Sequence, residues 1–155
     1  MSAALAAILL AVAALGFPPG DLPPVIPDFG PKLENYYRKP DPKVAGQFFV
    51  EMLKPENVDH PWFVERWDVL DIMGTQLGDL AKGRDDVVRS YEAAFPACTR
   101  QGKKLIVAAL KVCGDEPSQT VVAGWLNDAA NKELKGDLEA LQKHLADPKR
   151  KHFRE

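Results

Sequence analysis

Three carboxylates share one face of a predicted helix and are the side chains of this chain best spaced for acid–base chemistry. Glu65, Asp68 and Asp71 follow one another at intervals of three residues, which places them on the same side of an α-helix. In a cleft, such a group could supply a general acid and a general base. A row of acids opposite an apolar stripe is, however, typical of the hydrated side of an amphipathic helix. We therefore predict no enzymatic activity and no catalytic residue; a small hydrolase or lyase that uses carboxylates in a helical cleft is the alternative.

The histidines and the glycine-rich motifs do not form a recognisable site. His60, His144 and His152 are never four residues apart, so no helix face pairs two of them, and no H-E-x-x-H motif is present. The sequence also lacks the P-loop, G-x-G-x-x-G and G-x-S-x-G patterns. It therefore predicts neither a metal site nor a cofactor.

The two cysteines flank one predicted helix. Cys98 and Cys113 lie on either side of residues 99–112, so at helical rise they are about 20 Å apart. A disulfide requires a Cα separation of about 4.4–6.8 Å. We therefore predict two thiols that pack as small apolar residues.

The first sixteen residues, 1–16, contain no charged side chain. An apolar run of this kind is typical of a secretory signal peptide, although no Lys or Arg precedes it. As a helix it would span about 24 Å, less than the roughly 30 Å hydrocarbon core of a bilayer. We predict a signal peptide and a secreted or periplasmic protein. An uncleaved membrane anchor that contacts the bilayer through 1–16, and a buried helix of the folded domain, are the alternatives.

Composition divides the remainder of the chain into three parts. Residues 17–30 are rich in proline, which excludes helix and central strand and indicates an extended segment. Residues 31–146 have a helical pattern and form the predicted domain. Residues 147–155 form a basic tail.

Charge restricts the class of partner. The chain has 20 basic and 22 acidic residues, so it has no overall field that would attract nucleic acid, and we predict no nucleic-acid partner. The tail is the local exception, because Lys149, Arg150 and Lys151 are adjacent and could contact an anionic group.

Start and stop signals predict successive helices. Asp41-Pro42 and Asp59 with Pro61 combine a capping side chain with a proline in the first turn. Pro55 is predicted to end a helix, because proline interrupts a helix interior. The first of the later predicted helices covers 61–82 and stops at Gly83, and the next runs from Asp85 to a break at Pro96. A third covers 99–112 and stops at Gly114. Two more follow, one beginning at Pro117 or Ser118 and one covering 131–146.

Apolar spacing in these segments repeats every three or four residues, as in the leucines at 134, 138, 141 and 145. No alternating run bounded by hairpin turns indicates a strand. We therefore predict an all-α fold, an irregular stack of five to seven helices in antiparallel pairs after the N-terminal signal or anchor segment.

This succession of helices, with its repeated start signals, resembles the αα-superhelical repeat proteins, the HEAT-like and tetratricopeptide-like group. The tetratricopeptide pattern at a 34-residue period is missing, and an irregular helical bundle is the alternative architecture. Members of the group mostly bind proteins or peptides, so the resemblance implies a protein-binding module with a partner protein not identified by the sequence. An accessory subunit of a membrane complex, held by an uncleaved N-terminal helix, is a further alternative.

Aromatic residues are concentrated in the first half of the chain. Phe48 and Phe49 are adjacent, as are Trp62 and Phe63, and adjacent helical residues cannot face the same way. One of each pair must therefore face another helix, the proline-rich segment or a partner. We predict an aromatic surface for binding, formed by Tyr36, Tyr37, Phe49, Trp62 and Phe63. We also predict that residues 17–31 lie across this surface, because proline-rich chain docks on aromatic rings.

Overall fold

The computed structural model describes residue 47, residues 49–65 and residues 67–148, and for residues 62, 65 and 67 it describes the helical backbone alone. Within these ranges the chain is all-α, with seven α-helices and no strand. The chain divides into two compact units, Met1–Val69 and Leu70–Glu155. The predicted fold class is confirmed.

Two short helices of the first unit begin at prolines. Helix α1 spans Pro55–Val58 and helix α2 spans Pro61–Glu65. The helical residues 49–52 end before Pro55, as predicted, and Pro55 also begins the next helix. The reason is that the fixed φ and missing N–H of proline suit a first helical turn.

The described interior of the first unit is apolar. Phe49, Met52, Val58 and Phe63 are each at most 2% exposed. Asn57 is a buried polar residue among them.

The helix predicted over 61–82 is described in two parts, α2 and α3, which spans Trp67–Ala81. Residue 66 lies outside the described residues. Gly83 follows α3 with a φ of 69°, a left-handed conformation that glycine adopts without steric cost. The predicted stop at Gly83 is confirmed.

Four helices and two 3₁₀ turns complete the described part of the second unit. In chain order they are α4 (Asp85–Ala94), a 3₁₀ turn (Phe95–Ala97), α5 (Arg100–Cys113), α6 (Glu116–Asn127), a 3₁₀ turn (Ala129–Leu134) and α7 (Lys135–Ala146). Thr99 caps α5, since its hydroxyl accepts a hydrogen bond from the Gly102 N–H at 3.3 Å. Gly114 is the residue at which α5 ends. Both predicted helix ends are confirmed.

Two helix starts differ from the prediction. Helix α6 begins at Glu116 because Asp115 caps it, and Asp115 and Ser118 each accept a hydrogen bond from the other's backbone N–H at 3.0 Å. The segment predicted to begin the last helix at residue 131 is a 3₁₀ turn. Its first turn is capped by Asp128, which accepts a hydrogen bond from the Ala130 N–H at 2.9 Å.

Helices α3, α5 and α7 run parallel to one another and form what we call the first row. The order in which residues of one helix contact residues of the next shows that the helices point the same way. A Cβ added at Gly74 would meet Leu105 and Ala108, and one added four residues later, at Gly78, would meet Ala109 and Val112. Between α5 and α7, the Lys103 ammonium contacts Asn131 at 2.8 Å and the Lys111 carbonyl oxygen contacts His144 at 2.8 Å.

Helices α4 and α6 form the second row and are also parallel to each other. Arg89 bonds to Asp115 at the start of α6, and Phe95, just after the end of α4, stacks on Trp125 near the end of α6. Later residues of one helix therefore contact later residues of the other. Consecutive helices run in opposite directions: Gln119, near the start of α6, donates to the Leu145 carbonyl oxygen at the end of α7 at 3.1 Å.

The predicted apolar stripes mostly face the core. The four leucines at 134, 138, 141 and 145 are at most 6% exposed. On α5 and α6, three apolar residues are only half-buried: Val112, Val121 and Leu126.

The cysteines lie at the two ends of α5, as predicted, and are not joined in a disulfide. Cys113 is buried and Cys98 is partly exposed, so only Cys113 fits the expected packing as a core residue. Along the part of the chain that is described, no helix has the length and apolar character needed to span a bilayer.

Candidate functional site

The predicted aromatic surface is described only in part. Phe49 is 2% exposed and Phe63 is 0% exposed. Both side chains are therefore buried in the described interior of the first unit.

The other members of the aromatic surface lie outside what the structure describes. This holds for Tyr36, Tyr37, the side chain of Trp62 and the whole of residues 17–31. The docking of the proline-rich segment on this surface remains a prediction. The leader 1–16 and the basic residues Lys149, Arg150 and Lys151 also lie outside the described residues.

The carboxylate row is exposed where it is described. Asp68 and Asp71 are both exposed on α3, and the side chain of Glu65 is not described. Acid–base catalysis uses groups held in a cleft by burial and neighbouring charges, and neither aspartate is buried. Among the described residues no group of three or more His, Cys, Asp and Glu side chains is arranged to hold a metal ion.

A different polar group, which the sequence did not single out, joins the two helices of the second row. It consists of Arg89 and Glu92 on α4, Asp115 at the cap of α6, and Ser118 in the first turn of α6; we call it the α4–α6 charge cluster. Arg89 lies at its centre. One guanidinium nitrogen contacts Glu92 Oε2 at 2.7 Å, and the other bonds to Asp115 Oδ1 and lies 3.3 Å from Ser118 Oγ.

Local rules position each half of the charge cluster. Arg89 and Glu92 are three residues apart on α4, so their side chains meet on one helix face. Asp115 and Ser118 are the two members of the capping box of α6, and the Ser118 hydroxyl also donates to Asp115 Oδ1 at 2.8 Å. Arg89, the most exposed member with 37% of its side chain exposed, connects the halves.

Asp115 is held in its charged form. Burial alone would raise its pKa, but the hydrogen bonds from the Ser118 hydroxyl, Arg89 and the Ser118 N–H, together with the charge of Arg89, outweigh burial. The pKa of Asp115 is therefore lowered from its ordinary value. Its position at the N-terminus of α6 also suits a negative charge.

For Glu92, the effect of burial on the pKa outweighs the effect of its hydrogen-bonding and charged neighbours. Its side chain is 5% exposed, and burial raises its pKa, with Ser118 and Arg89 offsetting part of the effect and the nearby Asp115 charge adding to it. Its Oε1 atom is buried and has no hydrogen-bond partner among the described residues. The cluster thus holds one well-paired carboxylate and one that is incompletely paired.

Aromatic contacts join the 3₁₀ turn that follows α4 to the later part of α6. The rings of Phe95 and Trp125 are stacked with centroids 3.7 Å apart and planes 7° apart. The Lys103 ammonium lies 5.2 Å from the centroid of Phe95. Asn131, buried, donates from its side chain to the Trp125 carbonyl oxygen at 3.0 Å. We call Phe95, Trp125, Lys103 and Asn131 the aromatic cluster.

Part of the charge cluster could have been found in the sequence. Asp115 precedes Glu116-Pro117, the same combination of capping residue and early proline that marks the start at Asp41-Pro42. No local signal pairs Arg89 with Asp115, which are 26 residues apart. Chemically, the cluster connects helices, and its hydroxyl group, Ser118, is fully buried.

In comparisons with known proteins, no protein-family model, no curated protein and no solved structure matches this chain.

Proposed function

We propose that this chain is an exported or membrane-tethered helical protein that binds another protein and has no catalytic activity. One observation supports the binding role above the others: the second unit places parallel helices in two rows, with consecutive helices antiparallel. Helical-repeat proteins stack helix pairs in this way, and their binding surfaces are the exposed faces of such stacked helices.

Each row offers an exposed helix face of different chemistry. On α3, Asp71, Ile72, Thr75 and Asp79 are exposed, and Ile72 is a large apolar side chain with 41% of its surface exposed. On α6, Thr120 and Gly124 are exposed. The α3 face thus presents a large apolar side chain, Ile72, that a bound partner would cover.

Photo-crosslinking from matched positions tests the binding role. Thr75 on the first row and Thr120 on the second row are both exposed threonines, so a photoreactive amino acid at either position perturbs the fold to a similar, small extent. The full chain carrying one substitution is irradiated in its native envelope fraction. We expect a discrete adduct of defined mass from Thr75 and none from Thr120. The same diffuse labelling from both positions, or none from either, would contradict a specific partner.

The export part of the proposal is supported by the sequence of residues 1–16, which lacks charged side chains. The intact mass of the protein purified from cells distinguishes an exported protein with a cleaved signal peptide from a membrane-tethered one. Loss of about 1.4 kDa, the summed residue masses of this segment, indicates cleavage of a signal peptide. Full mass with membrane fractionation indicates a tether, whereas full mass in the soluble cytosol would contradict both.

A further inference from the structure

Glu92 is a buried carboxylate whose charge is not balanced by its surroundings. The charged groups that act on it are Arg89 on its own helix and Asp115 at the cap of α6, with Ser118 as the neighbouring hydroxyl. Helix α5 also packs against α4, but it adds no charged group to this set. One guanidinium therefore faces two carboxylates when both are ionised.

The single positive charge is not shared evenly. Asp115 receives the Arg89 guanidinium, the Ser118 hydroxyl and the Ser118 N–H, and the N-terminus of α6 contributes a partial positive charge of about one half. Glu92 receives Arg89 at one oxygen and shares the Ser118 hydroxyl with Asp115. Its other oxygen, Oε1, is buried with no hydrogen-bond partner among the described residues. The excess negative charge of the cluster therefore resides on Glu92.

We propose that the junction between α4 and α6 is a pH-dependent latch, which tightens when Glu92 takes up a proton and loosens when Glu92 is ionised. Protonation removes the excess charge and leaves Arg89 paired with Asp115, so the cluster becomes neutral without losing the cap of α6. The ionised form carries an uncompensated buried charge, which is costly.

The sign of the pH dependence follows from the raised pKa of Glu92. A carboxyl whose pKa is higher in the folded than in the unfolded state stabilises the fold fully below the unfolded value, about 4.3. This contribution is lost as the pH rises through the folded value. The latch is therefore tight at pH values below the folded pKa of Glu92 and loose at pH values above it.

Urea denaturation of the full chain between pH 4.5 and pH 8 tests the latch. In wild type we expect the midpoint urea concentration to fall as the pH rises. In Glu92→Gln, which keeps the shape and removes the charge, we expect a smaller fall and a higher midpoint than wild type at pH 8. Glu139→Gln, at an exposed site on α7, should follow wild type. Identical pH profiles for Glu92→Gln and wild type would overturn the proposal.

Two measurements on the wild-type chain do not depend on whether the variant folds. The carboxyl carbon resonance of Glu92, followed by NMR, should titrate with a midpoint above about 4.3; a midpoint at or below this value overturns the proposal. Amide hydrogen exchange, corrected for the chemical exchange rate, should show that raising the pH from 5 to 8 reduces protection in residues 89–95 and 115–121 more than in 135–146. An equal change in all three segments contradicts a local latch.

Discussion

The two rows of helices in the second unit are joined by different kinds of contact. In the first row, α3 approaches α5 closely because Gly74 and Gly78 have no side chain: a Cβ added at Gly78 would meet the Ala109 carbonyl oxygen and lie 2.8 Å from Val112 Cβ. In the second row, α4 and α6 are connected by long side chains, through the charge cluster at the start of α6 and the aromatic cluster near its end. Close approach of backbones excludes water and charge, whereas bridging side chains can include ionisable groups.

This difference makes the two rows respond differently to their surroundings. The α3–α5 contact, which depends on the absence of side chains at Gly74 and Gly78, responds to steric change and not to pH. A row that depends on an arginine shared between two carboxylates responds to both mutation and pH. The aromatic cluster should contribute most of the pH-independent stability of the second row, because large rings bury more apolar surface than other side chains.

The largest effect is expected from removing the aromatic contact of the second row. Trp125→Ala deletes a side chain that is stacked on Phe95 and is 8% exposed, so we expect a loss of about 3–5 kcal/mol in the free energy of unfolding. Chemical denaturation followed by circular dichroism measures it. Trp125→Phe, which retains a ring, should lose much less. A loss below about 1 kcal/mol for the alanine variant would mean that the aromatic cluster does not hold the second row.

A pair of glycine variants tests the close approach in the first row. Gly78→Ala forces a Cβ against the backbone of α5, and we expect a loss of about 1–3 kcal/mol in the free energy of unfolding. Gly124→Ala, on α6, has open space around the new Cβ and should gain up to about 1 kcal/mol from helix propensity. Denaturation curves for both variants measure the contrast; equal effects of the same sign would contradict the close approach.

The charged contact of the second row should be lost in acid. Asp115 has a lowered pKa, so its contribution to stability is present above its unfolded value of about 3.9 and is lost as the pH falls through the lower folded value. Asp115→Asn keeps a good capping residue without the charge. We expect it to be about 1–2 kcal/mol less stable than wild type at pH 7.

Unfolding curves between pH 2 and pH 7 measure this difference, which should shrink as the pH falls below about 4. Asp71→Asn, at an exposed position on α3, is the matched control and should stay close to wild type throughout. A constant difference between Asp115→Asn and wild type at all pH values would show that the charge of Asp115 is not the stabilising element.

The smallest effect concerns an exposed contact of the first row. His144 lies 2.8 Å from the Lys111 carbonyl oxygen and joins the end of α7 to α5 at an exposed position. We expect His144→Ala to lose about 0.5 kcal/mol in the free energy of unfolding, the lower range for a single hydrogen bond. Lys143→Ala, at the neighbouring exposed position, should have no measurable effect. A loss above about 1.5 kcal/mol would show that this contact matters more than its exposure suggests.

The helix ends in the second unit were largely predictable because their causes are local. Thr99 accepts a hydrogen bond from a residue three positions away, and Gly83 has the positive φ that its position after a helix requires. The prediction failed where two local rules compete. Residues 131–134 continue the apolar spacing of the last helix, which predicts an α-helix, whereas Asp128 caps a 3₁₀ turn there.

The candidate site was less predictable. The rule that adjacent aromatics face different ways does not say which member of a pair is buried, so it did not predict the burial of Phe49 and Phe63. The charge cluster combines residues from two helices, and α5 lies between them in the chain. Its geometry depends on how α4 and α6 align, which no short window of sequence contains.

The sequence alone determined that this protein is all-α and where several of its helices begin and end, because caps, glycines and apolar spacing act over only a few residues. The tertiary structure decided which helices lie side by side, which aromatics are buried and which carboxylate is left with an unbalanced charge. These outcomes depend on burial and on contacts between residues far apart in the chain, such as Arg89 with Asp115.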